Sequence, residues 1–141
     1  MTQPAALPLV HTSDVPLRWR DLDSYHHVNN ASFATLIEEA RVRWFASLPG
    51  PWRAANAEPL VARLELDYLS PMQYPGTARI ELRLERLGNS SLHLLHEVRN
   101  ALQPEQIFAR GKTVLVWVDP SVGKSTPIPE FIRSSLQALC Q

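Results

Sequence analysis

Cysteine is almost absent: Cys140 stands alone among 141 residues, so no disulfide can form within the chain. An excess of charge of either sign is absent too. Fourteen basic residues against fourteen acidic ones leave no net charge, and hence no overall field to draw the protein to nucleic acid or an anionic membrane. No apolar run approaches the roughly 20 residues that cross a bilayer, so membrane insertion is not expected. The first residues, with Pro4 and Pro8 among polar neighbours, lack the basic start and apolar core of a signal peptide. Internal repeats and low-complexity tracts are missing as well. The expectation is a single cytoplasmic domain over residues 1–141, large enough to bury roughly 70% of its unfolded surface.

What the chain does have is a concentration of polar chemistry. Trp19-Arg20-Asp21-Leu22-Asp23-Ser24-Tyr25-His26-His27-Val28-Asn29-Asn30 gathers two carboxylates, two imidazoles and two amides just before a strongly helical segment. A helix start carries unpaired backbone N–H groups and partial positive charge, so side chains delivered there by a turn can share one reacting group with those donors.

From Ala31 the apolar residues Phe33, Leu36, Ile37, Ala40, Trp44 and Leu48 recur three or four apart, the stripe of a helix of about five turns. Glu38 with Arg41 and Glu39 with Arg43 have the spacing of surface ion pairs. Asn29 and Asn30 are candidate N-caps, and Pro49-Gly50-Pro51 ends the helix. Ahead of the polar turn, Val15 to Trp19 is predicted as a short strand, with Pro16 tolerable near its start or on a sheet edge.

Beyond the helix the period becomes two. Leu60, Ala62, Leu64, Leu66 and Tyr68 alternate with polar or smaller residues, which predicts a strand with one buried face. After Pro71 to Gly76, the residues Ala78, Ile80, Leu82 and Leu84 alternate with Arg79, Glu81, Arg83 and Glu85. Turns at Gly88-Asn89-Ser90 and Gln103-Pro104-Glu105 lead into Leu92–Ala101 and Gln106–Val118, an antiparallel meander. Gly111 inside the last run predicts a bulge or a close backbone approach. A final amphipathic helix carries Phe131, Ile132, Leu136 and Leu139. Such a sheet can curl around the long helix and bury its stripe, and the sheet edges left over make a homodimer the physical expectation.

Arg20-Asp21-Leu22-Asp23, His27-Val28-Asn29-Asn30, Glu38-Glu39-Ala40-Arg41, Asp67-Tyr68-Leu69-Ser70-Pro71, Gly76, Gly88 with Ser91, and Ala109-Arg110-Gly111 arrive in this order. Together they resemble the hotdog-fold acyl-CoA thioesterases of the 4-hydroxybenzoyl-CoA thioesterase type, from about Val15 to Pro129. The resemblance implies an α+β hotdog fold, a long central helix wrapped by a curved antiparallel sheet, in dimers or tetramers with active sites at the dimer interface. It implies acyl-CoA as substrate and no cofactor. It also implies that Asp23, second of the Asp-x-Asp pair, is the catalytic carboxylate, and that backbone N–H groups of Asn29 to Ala31 polarise the thioester carbonyl.

Thioester cleavage needs a nucleophile or general base, oxyanion donors and an exit for the thiolate. Asp23 can act as nucleophile or as base for water, and Asp21 is expected to be structural. His27, four residues on, can orient the carboxylate, assist proton transfer or serve the turn, whereas His26 is expected to be exposed. Tyr25, Val28, Asn29, Asn30, Ala31, Ser90 and Ser91 are the candidate substrate contacts, with Phe33, Tyr25 and Trp44 as candidate acyl lining. Arg79, Arg83, Arg86, Arg99, Arg110 and Lys112 are candidate cations for the phosphates of CoA. Asp21, Asp23, His26 and His27 are competent zinc ligands, but no second spaced pair completes a motif, so no metal is expected. Of His93 and His96, on opposite faces of one strand, one should point inward. Two other functions remain open: hydration or dehydration of an acyl thioester, and a binding module for acyl-CoA or acyl carrier protein without turnover.

Overall fold

The alternation after Gly76 closes into three long antiparallel strands, and the other elements are arranged around them. The computed structural model describes residues 7–54 and 56–140, so Pro4 of the leader lies outside the described residues. Strand β1 covers Leu9–Pro16, helix α1 Asn30–Ala46, β2 Glu58–Tyr68, β3 Thr77–Leu87, β4 Ser91–Asn100, β5 Ile107–Asp119, β6 Lys124–Ser125 and helix α2 Glu130–Ala138. The strands form one antiparallel sheet in the order β1-β3-β4-β5-β2, with the two residues of β6 paired to β5. Helix α1 packs chiefly on β1 and β3. This is the α+β arrangement expected, a long helix held against a curved antiparallel sheet.

The stripe of α1 supplies the centre of the core. Phe33, Leu36, Ile37, Ala40 and Trp44 are buried against Ile80, Leu82, Leu92, Leu94, Val98 and Leu115, the inward residues of β3, β4 and β5. Phe45 joins them, stacked between Trp44 and Trp52 at ring distances of 4.8 and 5.2 Å. Ile132 and Leu136 seat α2, while Leu139 stays exposed. The Glu39–Arg43 ion pair forms at 3.1 Å. Arg41, however, is no surface residue: it is buried, and its nearest carboxylate, Glu38, is 4.0 Å away.

Two strand expectations need correction. The first strand lies at Leu9–Pro16 rather than Val15–Trp19; its His11, Thr12, Ser13 and Asp14 hide the apolar alternation, and Trp19–Asp21 instead forms a short 3-10 turn. Pro16 does end an edge strand. The second strand is buried far less than expected: Leu60, Val61, Leu64 and Tyr68 are all exposed and Leu66 is only half-buried on the core, because β2 is the opposite edge and α1 packs chiefly on β1 and β3.

Gly111 marks the close approach foreseen for it. A Cβ there would lie 1.8 Å from the Glu65 carbonyl oxygen and 2.9 Å from Nε2 of His96. His96 is the inward histidine of β4, 1% exposed, with Nε2 3.3 Å from the Glu65 carbonyl and Nδ1 3.3 Å from the Thr113 hydroxyl. Burial lowers its pKa from 6.5 to about 4, reinforced by the Arg41 charge and opposed by the bond to Glu65. Unfolded, the imidazole takes up a proton near pH 6.5; folded, it does not until about pH 4. Between those values the unfolded state binds more protons, so stability is at its full value above this window and falls as pH drops through it. The loss attributable to His96 is on the order of 3 kcal/mol. Urea unfolding at pH 7, 5.5 and 4 should therefore show a shallower pH dependence for His96→Gln than for the wild type, and parallel dependences would contradict this.

Candidate active site

The polar turn separates its two aspartates by backbone geometry. Asp21 is buried, accepting the Arg18 N–H at 2.8 Å and the Arg18 guanidinium at 3.0 Å, while its carbonyl accepts the Asn29 N–H at 2.8 Å. It is the structural member of the pair. The chain then turns tightly: Asp23 N–H donates to the His27 carbonyl and His26 N–H to the Asp23 carbonyl, both at 3.0 Å. His26 sits at φ 59°, a left-handed conformation that costs a non-glycine residue about 1–2 kcal/mol. The Val28 N–H donates to the Met72 carbonyl at 2.8 Å and His27 bridges to Gln73, pinning the turn to the segment before β3. Asp23 is left half-buried; its Oδ1 accepts the Tyr25 N–H at 2.9 Å, and its Oδ2 has no partner among the described residues.

Helix α1 begins where this turn ends. Asn29 is the N-cap, its side-chain oxygen accepting the Ala31 N–H at 2.9 Å and its carbonyl the Ser32 N–H at 2.8 Å. Of the three amides expected to face a substrate, Asn29's is given to Asp21 and Ala31's to the cap. The Asn30 N–H has no acceptor among the described residues. It therefore stands as an open donor at the positive end of a 17-residue helix.

Asp23 and Asn30 border one cleft of ≈ 500 Å³, which Tyr25, His27, Val28, Asn29 and Phe33 also line. Its remaining boundary is Tyr68-Leu69-Ser70-Pro71, where β2 ends. The six-residue set Asp23, Tyr25, His27, Val28, Asn29 and Asn30, drawn from the sequence, is thus brought together, with exposed Ala31 at the rim but outside the lining. Ser90 and Ser91 are not. They flank the β3–β4 turn, roughly 35 Å along β3 from the end that carries Asp23's loop, judged by strand rise, and within one chain they do not reach this cleft. Trp44 is core rather than lining, and His26 is exposed, 6.3 Å from the Trp19 ring.

Tyr68 went unassigned in the sequence because its place in the alternation reads as strand packing. Only its position beside the Ser70-Pro71 break, which ends the strand at the cleft, hints at more. Among the cations, Arg79, Arg83, Arg99, Arg110 and Lys112 each lie within 4.0 Å of a carboxylate. Among the described residues no group of three or more His, Cys, Asp and Glu is placed to hold a metal ion, and no helix is long and apolar enough to cross a membrane. A carboxylate and an open amide donor beside the apolar Phe33 and Leu69 suit attack on a carbonyl whose oxygen gains negative charge.

Comparison with known proteins points to thioester hydrolysis. The family model described as the thioesterase-like superfamily matches residues 17–136. The PA2801 protein of Pseudomonas aeruginosa is similar in structure with a TM-score of 0.86 at 41% identity, covering 91% of this chain and 98% of that one. A thioesterase of Thermus thermophilus, complexed with coenzyme A and Zn, aligns with a TM-score of 0.77 at 36% identity over 94% of both chains. The long-chain acyl-CoA thioesterase FadM of Escherichia coli K12 is 26% identical over 130 residues, 90% of this chain and 97% of its own.

Proposed function

The chain belongs to the thioesterase-like superfamily, and from that premise we propose that this thioester hydrolase cleaves an acyl-CoA to free acid and CoA through Asp23. The observation that carries the reading is the shared cleft: Asp23, half-buried, and Asn30, whose N–H is unpartnered among the described residues, both line it. The carboxylate either attacks the carbonyl carbon, forming a mixed anhydride that water then hydrolyses to the free acid, or takes a proton from a water that attacks that carbon; in both routes the amide takes the developing oxyanion and the CoA thiolate departs. His27, lining the same cleft without a side-chain partner among the described residues, is suited to proton transfer near the carboxylate. Acyl-CoA as substrate is supported by the coenzyme A bound to the Thermus thermophilus thioesterase.

Self-association belongs to the same reading. The exposed apolar residues of β2 lie on an unpaired sheet edge, and pairing that edge with a second copy would cover both its side chains and its backbone groups. Ser90 and Ser91 then become candidates for contacts made across the assembly rather than within one chain. A cytoplasmic setting fits a chain whose one cysteine, Cys140, is an exposed free thiol.

The test is thiol release from short, medium, long and aromatic acyl-CoAs by the purified protein. Turnover of at least one class is expected. Consumption of an enoyl-CoA without thiol release would replace the reading with a hydratase, and tight binding without turnover would replace it with a binding module.

A further inference from the structure

Residue Asn30 is gripped from both sides, and only one of the two grips belongs to the turn. On the amino-terminal side, the 28–29 peptide is fixed by the Asn29 N–H bond to the Asp21 carbonyl, and Asp21 is itself held by Arg18. On the carboxy-terminal side, the Asn30 carbonyl accepts a hydrogen bond from the Tyr68 hydroxyl at 3.0 Å, across 38 residues of chain. The Tyr68 ring meets Phe33, one turn further along α1, edge to face at 5.4 Å. Phenol and ring thus join the last residue of β2 to the first turn of the helix, on the boundary of the catalytic cleft.

We infer that Tyr68 is a positioning residue: its hydroxyl fixes the orientation of Asn30, and with it the direction in which the open Asn30 N–H points. This deepens the thioesterase reading and rests on it. The physical basis is the steepness of hydrogen-bond energy with angle, since a donor that swings out of line loses much of its hold on an oxyanion. A ring contact alone would locate the helix but leave the peptide free to tilt. The bond to the carbonyl fixes the 30–31 peptide, so that the Asn30 N–H, on the adjoining 29–30 peptide whose carbonyl accepts the Ser32 N–H, swings only by rotation about Asn30 itself, and it also draws electron density toward the oxygen of the 30–31 peptide, strengthening the Ala31 N–H that holds the cap. Because β2 is an edge strand, the tie would also carry any constraint placed on that edge to the oxyanion donor.

Tyr68→Phe removes the hydroxyl and keeps the ring against Phe33. On the acyl-CoA that the wild type cleaves best, kcat should fall about tenfold with KM unchanged, the loss of one hydrogen bond's worth of transition-state stabilisation. The backbone amide resonances of Asn30 and Ala31 in the substrate-free protein should shift, and hydrogen exchange at the Ala31 N–H, which holds the cap, should quicken, while the urea midpoint moves little. An unchanged kcat, or a raised KM at constant kcat, would overturn the inference, the second by making Tyr68 a substrate contact. Unmoved Asn30 and Ala31 amides would overturn it whatever the kinetics. A wild type inactive on every acyl-CoA would sink the functional reading alone, since the amide measurements still decide whether Tyr68 orients Asn30.

Discussion

Asp23→Asn should lower kcat for thioester hydrolysis about a thousandfold or more, with the fold intact. The substitution is nearly a pure deletion of charge. Among the described residues the Asp23 side chain accepts one bond, from the Tyr25 N–H at 2.9 Å, and an asparagine oxygen can accept it equally well. The turn should therefore keep its shape while the group at position 23 ceases to be a nucleophile or base. Asp23→Ala removes the acceptor as well and should match the kinetic loss with about 1 kcal/mol of added instability. Asp21 provides the contrast, because both its oxygens are engaged by Arg18 in a buried setting and its replacement by Asn deletes an ion pair that holds the turn. For Asp21→Asn the unfolding midpoint should drop. Thiol-release kinetics beside urea unfolding separate the cases, and an Asp23→Asn enzyme within tenfold of wild type would refute the assignment.

Gly111→Ala should cost about 4 kcal/mol or more of stability, far beyond an ordinary surface substitution. The added methyl would fall 1.8 Å from the Glu65 carbonyl oxygen and 2.7 Å from its carbon, both backbone atoms of the neighbouring strand. No side-chain rotation relieves such a clash. Either β2 must move away from β5, breaking the Leu66–Gly111 pairing, or β5 must bend against the buried His96. Because β2 carries Tyr68 to the cleft, activity should suffer along with stability. Urea unfolding checks the prediction, and a stability within about 1 kcal/mol of wild type would contradict it.

The sequence made α1 and the β3–β4–β5 meander legible because their burial is decided inside one chain. Phe33 to Trp44 and Ala78 to Leu84 face the same core, so their periods record it directly. Strand β1 was misplaced for the converse reason: with polar residues from His11 to Asp14, its register comes from pairing with β3, which no local pattern carries. The alternation of β2 is visible in the sequence but does not mark a face buried within the chain. Leu60, Leu64 and Tyr68 alternate as if buried, yet one chain leaves them exposed, because β2 is the outermost strand of the sheet. At the site, the local constellation from Asp23 to Asn30 could be read because a turn and a helix start are determined by nearby residues. Neither Tyr68, contributed from the far end of a distant strand, nor the separation of Ser90 and Ser91 from the cleft follows from spacing, since both depend on sheet topology.

The most direct measurement is a crystal structure of Asp23→Asn with an intact acyl-CoA. The thioester oxygen should lie about 2.7–3.1 Å from the Asn30 nitrogen, with the residue-23 side chain on the opposite face of the carbonyl carbon. A thioester seated elsewhere, such as the smaller cleft beside Leu17, Met72 and Phe108, or one bound with its carbonyl turned away from Asn30, would contradict it.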